Sequence, residues 1–445
     1  MNVMALLRRP GRLARGVTGT AAVNISNLVF GAATGVLVAR ILGPTAQGEL
    51  VIASVGPQVV QALMIVGIDE AVVYRLARAP GPVEEGRVMG SALAAAASLG
   101  VFAVAVAGLF QWLYFTPLLH LVGMVPSYTF ATLPFLYITT QVMLGTMRAR
   151  QQYALWNLCR ASIPLIYLVL VLVLELAHRL SASAVLMALY AANLLLAIYL
   201  AGRLARESQL RVVPRESVGT LRLGIQVHLI SIGQLVNQNV DQLILTRFVS
   251  ARQLGFYAVA VTYASAALAV ALAPAWHLFS QASKQGRITS ERFGWLQRRT
   301  TIAMIAVAVI SGVGAPLFIT LVFGHAYAPT ILPALILLAG APLLALSALR
   351  SAAWKASGRP LPAALAQGIG VVVTVVGLAI FASRFGILAA ACTSVVAYAT
   401  VTAVLFRVGT APVVRITGEI SSATIPGGAV PVQPISSDIE GPLSR

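Results

Sequence analysis

LPAALAQGIGVVVTVVGLAIFA, residues 361–382, is followed after only Ser383-Arg384-Phe385 by GILAAACTSVVAYATVTAVLF, residues 386–406. Neither run carries a charged side chain. A helix rises about 1.5 Å per residue, so about 20 apolar residues cross the hydrocarbon of a bilayer, and each run is long enough to do so. Three residues between them leave room for a tight reversal only. The pair therefore reads as two antiparallel transmembrane helices.

Working outward from this pair, ten more runs of the same kind appear at 17–39, 51–74, 88–110, 128–147, 161–178, 184–202, 223–246, 256–280, 300–323 and 331–349. The composition agrees: 58% of the 445 residues are hydrophobic and 10% are charged, against about 25% in a soluble domain. Mean hydropathy is +0.87. Prolines within the runs (Pro134, Pro164, Pro274, Pro316, Pro342) are tolerable in a membrane, where neighbouring helices satisfy the freed backbone groups. The fold class expected is an all-α polytopic membrane protein of twelve transmembrane helices.

The net charge of +18 raises the question of a nucleic-acid partner. The placement of the basic residues answers it. The N-terminus, the connections after spans 2, 4, 6, 8 and 10, and the tail hold 26 of the 31 Lys and Arg, the other connections hold 5, and no span holds any. Basic residues concentrate on the cytoplasmic side of membrane proteins, so both termini are expected there, with no nucleic acid bound. The cell's plasma or inner membrane is the expected location. Arg8, Arg9, Arg12 and Arg15 resemble the basic start of a signal peptide, but Val17–Ala39 is too long for a signal-peptide core and reads as an uncleaved first span. Residues 409–445, rich in Pro, Gly and Ser, read as a disordered cytoplasmic tail.

The chain repeats itself. A shift of 207 residues carries Ile25, Leu28, Val29, Arg40, Gly48 and Ala53 onto Ile232, Leu235, Val236, Arg247, Gly255 and Ala260. Span 1 thus corresponds to span 7 and span 2 to span 8. The expected halves are 1–222 and 223–408, six helices each, inserted with the same orientation around a central cavity.

Polar residues fall in register with the repeat. Thr20, Asn24, Asn27, Gly31 and Thr34 share a face of span 1, and the shift carries them to Val227, Ser231, Gln234, Gln238 and Asp241, with Asn237 beside them. Such stripes serve as helix–helix glue in many membrane proteins. An ionisable group is not needed for packing, so Asp241 favours a wet cavity between spans 1 and 7. Arg247 follows it by about 9 Å along the axis. The other carboxylates within runs are Asp69 and Glu70, near the inner end of span 2 and within reach of Arg75 or Arg78, and Glu175 near the outer surface. His228, at the inner end of span 7, titrates near neutral pH in water, and a lone histidine there is more often interfacial. Cys159 and Cys392 suggest neither a disulfide framework nor a metal site. GxSxG, GxxxxGK[ST] and HExxH are absent, and the outer loop around Phe115–Pro126 has no acid/base pair. No enzyme activity, catalytic residue or cofactor is expected.

Ala39-Arg40-Ile41-Leu42-Gly43-Pro44 with Gly48-Glu49-Leu50 resembles the signature after the first span of polysaccharide and O-antigen flippases. These belong to the multidrug/oligosaccharidyl-lipid/polysaccharide exporter superfamily. Gly67-Ile68-Asp69-Glu70-Ala71 with Arg75, Asn239 to Leu245, Leu254 to Ala260, and Ala273-Pro274-Ala275-Trp276 to Phe279 with Lys284 are similar to later signatures, in order. The resemblance implies an inverted-V bundle of two six-helix halves that carries a lipid-linked oligosaccharide from the inner to the outer leaflet by alternating access. It also implies basic residues that hold the lipid's pyrophosphate. Here those can lie only at the rims, at Arg40, Arg75, Arg160, Arg247 or Lys355. The cavity candidates are therefore Asn24, Asn27, Arg40, Asp69, Arg75, Ser231, Gln234, Asn237, Asp241 and Arg247, with a lipid-linked glycan, membrane lipids and a coupling proton or cation as partners. The alternatives are a cation-coupled multidrug exporter of the same superfamily and a membrane-embedded glycan polymerase or ligase.

Overall fold

The computed structural model describes residues 10–112, 127–207, 209–228, 240–284, 287–288, 290–356, 361–409 and 414–415. Among them, seven helices are long and apolar enough to cross a membrane. Two of these are folded in half. Pro10–Met64 turns at Gly43 (φ 78°) and Leu361–Arg407 turns at Gly386 (φ 55°), so each contains two spans. Proline disfavours the helical region for the residue before it, and at Gly43 the next residue is Pro44. The positive φ at each turn is one that only glycine adopts without strain. Ser127–Ala149, Ala251–Lys284, and the pair Pro214–His228 with Val240–Leu245 complete twelve spans. The chain is an all-α, multi-pass membrane protein.

Three expectations are corrected. Residues 40–50 are helical except for the single turn at Gly43, where a loop was expected. Span 2, expected as one helix over 51–74, breaks after Met64 and restarts as Ile68–Leu76. Val66 (φ 47°) and Gly67 (φ 64°) are both left-handed there. The residues at the break, Ile65-Val66-Gly67-Ile68, are all apolar or glycine, so hydropathy cannot register a change of backbone direction there. The tail is not wholly apart from the bundle either, because Val414–Arg415 pairs antiparallel with Arg287–Ile288. Its other residues, 410–413 and 416–445, lie outside the described residues, so the expectation of disorder applies to a segment the structure does not describe.

Within each half the helices pack on their sequence neighbours, span 3 on span 4 and span 10 on the hairpin of spans 11 and 12. The largest buried cluster extends through both halves, joining Val51, Ile52 and Val55 of span 2 to Leu254, Tyr257 and Ala258 of span 8. The two repeats meet through this cluster. The fold has two ends to compare: the Gly43 end, where spans 1–2 and 7–8 turn, and the Arg75 end opposite.

Candidate functional site

At the Gly43 end the halves cross on two glycines that the 207-residue shift relates. A Cβ built on Gly48 would lie 1.7 Å from the carbonyl oxygen of Ala251, and one on Gly255 would lie 1.9 Å from that of Pro44. Ala251 is itself Pro44 shifted by 207. The contact is thus its own mirror under the repeat, and the pseudo-two-fold axis passes between Gly48 and Gly255. Any side chain at either position would overlap backbone, so the approach exists only because both are glycine. Tyr327, from the short 3-10 turn His325–Thr330, reinforces this end: fully buried against Phe256 and Phe323, it donates a hydrogen bond to the Ala39 carbonyl at 3.1 Å.

At the Arg75 end the first part of span 7, Pro214–His228, lies against spans 2 and 3 of the other half. Arg75 donates to the Glu216 carbonyl at 2.7 Å and to the Thr220 hydroxyl, with the Glu216 carboxylate 3.7 Å away. The approach again needs glycine, since a Cβ on Gly224 would lie 2.4 Å from the Val66 carbonyl at the break in span 2. The connection 209–213 is laid along span 3, where Ser91 accepts from the Val213 N–H at 3.0 Å. His228 is buried beside the break.

Asp69 and Glu70 do not pair with Arg75 or Arg78, as expected, but with Arg148 of span 4, at 3.8 and 2.9 Å. The helix restarted at Ile68 packs on Gly145 of that span, which turns both carboxylates toward Arg148. Sequence separation hid this partner.

Asp241 lies inside the second half. It is 6% exposed, and its Oδ2 accepts a hydrogen bond from the Tyr257 hydroxyl of span 8 at 2.6 Å, with the Ser394 hydroxyl of span 12 at 3.5 Å. Its Oδ1 accepts from the Gln242 N–H at 2.8 Å. No ion pair joins it to Arg247 or Arg40 among the described residues. A buried carboxylate with one phenol, one distant hydroxyl and one amide around it, and no cation, can exchange a proton or take up a small cation, and this is the arrangement's chemical capacity. Tyr257 and Ser394 carried no signal in a periodicity reading because they stand 16 and 153 residues away.

Of the remaining candidates, Asn27 is partly buried and its Oδ1 has no hydrogen-bond partner. Thr34 is buried and donates to its own helix at Phe30, so it is a packing residue. Arg40 and Arg247 are exposed at the Gly43 end. Arg160 lies over the Trp156 ring at 4.6 Å. Ser231, Gln234 and Asn237 fall outside the described residues, and so do the side chains of Asn24 and Lys355. The facing of the two polar stripes is therefore described on neither side in full. Sequence reading also passed over Arg350. Expected in an inner connection, it is buried, donating to the carbonyls of Leu405 (3.1 Å) and Gly409 (2.9 Å) beneath Phe406. A cation at the carbonyl end of span 12 answers that helix's dipole.

A family model described as "Polysaccharide biosynthesis protein" matches residues 13–279. No curated protein sequence matches the chain. Among solved structures, the lipid II flippase MurJ in an inward closed conformation aligns with a TM-score of 0.73 at 14% identity, over 88% of each chain. An inward-facing multidrug resistance MATE family transporter of the MOP superfamily aligns at 0.65 and 13%, over 86% of this chain and 93% of that one. A MOP superfamily transporter from Pyrococcus furiosus aligns at 0.53 and 15%, over 91% and 94%. At these identities the likeness is one of fold.

Proposed function

The chain belongs to the polysaccharide biosynthesis protein family, and we propose that it is a flippase moving a lipid-linked oligosaccharide from the inner to the outer leaflet of the plasma membrane. Both termini are assigned to the cytoplasm on the charge of the connections, which makes the Gly43 end outer and the Arg75 end inner. The observation that carries the reading is the self-mirrored crossing of Gly48 and Gly255. Two like halves touching at one end around an axis can rock about it, closing one face of the membrane as they open the other. No covalent step is required. The polar face of span 1 with Asn24 and Asn27, the Ser231–Asn237 stretch, and Arg40, Asp69, Arg75 and Arg247 at the rims are assigned to the substrate path. Asp241 is assigned to coupling, by a proton or another cation.

The test is a leaflet assay. Proteoliposomes holding a fluorescent lipid-linked oligosaccharide in both leaflets are treated with an impermeant quencher. Complete quenching with the protein, and half quenching without it, is expected; half quenching in both would overturn the reading. A second reading, a cation-coupled multidrug exporter, draws on the alignment with the MATE transporter and on the buried Asp241. Dye extrusion from cells without glycan-lipid movement would establish it instead.

A further inference from the structure

Span 7 divides its contacts between the two halves. Its outer part, Val240–Leu245, packs on span 12 and sets Asp241 against Tyr257 of span 8 and Ser394 of span 12, besides touching Pro10–Met64 near the crossing. Its inner part, Pro214–His228, packs on spans 2 and 3 of the first half.

Three sets of contacts hold the inner part there. The first is a mutual approach of backbones. A Cβ on Gly67 would lie 2.5 Å from the Gly224 carbonyl oxygen, just as one on Gly224 would meet Val66, so both positions require glycine. The second is Arg75, on the helix restarted at Ile68, which donates to the Glu216 carbonyl and the Thr220 hydroxyl. That restarted helix is itself fixed in the first half. A Cβ on Gly145 of span 4 would lie 2.8 Å from the Asp69 carbonyl oxygen, and Arg148 of the same span pairs with Asp69 and Glu70. The third is the strap 209–213, which leads into the segment. It lies over two glycines of span 3, since a Cβ on Gly86 would lie 2.2 Å from the Gln209 carbonyl oxygen and one on Gly90 2.5 Å from that of Arg211. Small residues four apart on a helix let another backbone approach this closely. Hydrogen bonds fasten the strap in place: the Arg211 N–H donates to the Gly86 carbonyl at 3.1 Å, and the Val213 N–H donates to the Ser91 hydroxyl. From the helix itself, the Ser217 hydroxyl donates to the Ser91 carbonyl at 3.0 Å.

We infer that Pro214–His228 moves as part of the first half throughout transport, so that the parting line between the two moving bodies runs inside span 7, beyond His228, and not at the connection before it. The inference rests on the alternating-access reading above. Were the segment to move with the second half, it would leave the Gly67 contact and Arg75 together and pull the strap from span 3. The strap's buried backbone groups would then need new partners. Rocking about the Gly48 and Gly255 crossing disturbs none of these contacts if the bodies part beyond His228.

A covalent lock tests it. Ser91→Cys with Ser217→Cys joins span 3 to the inner part of span 7, and the full chain enters the leaflet assay in oxidised and reduced form. Complete quenching in both forms is expected. Half quenching after oxidation that a reductant restores to complete would overturn the inference. Half quenching by the wild type would instead tell against the flippase reading, and a measurement without substrate then decides. Spin labels are placed in pairs on Arg87→Cys of span 3, Arg215→Cys and Arg299→Cys of span 9, all exposed positions, in the full chain in lipid nanodiscs. Pulsed electron resonance should give one narrow distance for 87–215, while the 215–299 distribution follows that of 87–299. An 87–215 distribution as broad as that of 87–299 would overturn the inference.

Discussion

The spans before and after the 207-residue shift match in sequence, yet the two sets are fastened by different physics. Among the described residues the ion pairs Arg148 with Asp69 and Glu70, Arg150 with Glu85 and Glu207, Arg203 with Glu207, and Arg87 with Glu84 lie within the first half, Arg75 with Glu216 ties span 2 to the start of span 7, and none lies within the second half. The second half keeps its polar groups inside instead, with Asp241 against Tyr257 and Ser394 and Arg350 on the carbonyl end of span 12. The backbones diverge too. Span 2 breaks at Val66 and Gly67, while Ala251–Lys284 is one helix through the positions 207 residues on. A broken span needs partners for its freed groups, and Pro214–His228 with Arg75 supplies contacts at the break. The lesson is that positions related by the shift share the contact at Gly48 and Gly255 and differ away from it.

The largest expected effect comes from breaking that shared contact. Gly255→Val and Gly48→Val should each abolish transport and sharply lower the amount of folded protein. A Cβ there lies under 2 Å from backbone, and overpacking costs about 1–3 kcal/mol even where side chains can yield. Gly35→Ala, with open space around it, is the control and should behave as wild type. Normal abundance and transport in both valine variants would refute the crossing.

Next in size is the buried carboxylate of the second half. Asp241→Asn keeps the shape and removes the charge, and normal membrane abundance with lost transport is the expected outcome of immunoblotting and the leaflet assay. A charge at the centre of a span costs about 2.5–3.5 kcal/mol on insertion scales, so its removal should not harm folding. Wild-type transport would end the coupling assignment, and joint loss of abundance would make Asp241 structural.

Tyr327→Phe removes one cross-half hydrogen bond and leaves the ring packing intact. A net hydrogen bond is worth about 1 kcal/mol, so opening at the Gly43 end should become about five-fold more frequent. The rate at which a small thiol reagent modifies a cysteine placed at the buried Ala39 would show it, and an unchanged rate would deny Tyr327 a part in closure.

The smallest effect tests the fastening of the first half. Arg148→Ala should cost at most about 1 kcal/mol in thermal stability, because partly exposed ion pairs are worth about 0–1 kcal/mol, and high salt should erase the difference. Asp241→Asn should show no such salt dependence. A salt-sensitive second half would erase the contrast between the halves.

How much of this was legible in the sequence differs residue by residue. The hairpin of 361–382 and 386–406 was read correctly down to its turn, because Arg384 and Gly386 mark it and each run fills the membrane by itself. Span 2 was read as one helix, because the break at Val66 and Gly67 changes direction without changing hydropathy. Asp241 was singled out for the cost of its charge, but its partners were sought at Arg247 and Arg40, where helical spacing looks, and Tyr257 was found across a turn. Asp69 and Glu70 were likewise given near neighbours when Arg148 was the partner.

By itself the sequence determined the membrane class, the twelve spans and the repeat. Transfer of a segment into hydrocarbon is a sum over its own residues, and a repeat is a comparison of the chain with itself. Only the tertiary structure decided that Gly48 meets Ala251 while Gly255 meets Pro44, that Asp241 faces Tyr257 rather than a cation, and that Pro214–His228 lies against spans 2 and 3. Each of these depends on the angle and depth at which helices cross. Those are fixed by backbone approach and side-chain volume at contacts distant in sequence, and no local window of the chain contains them.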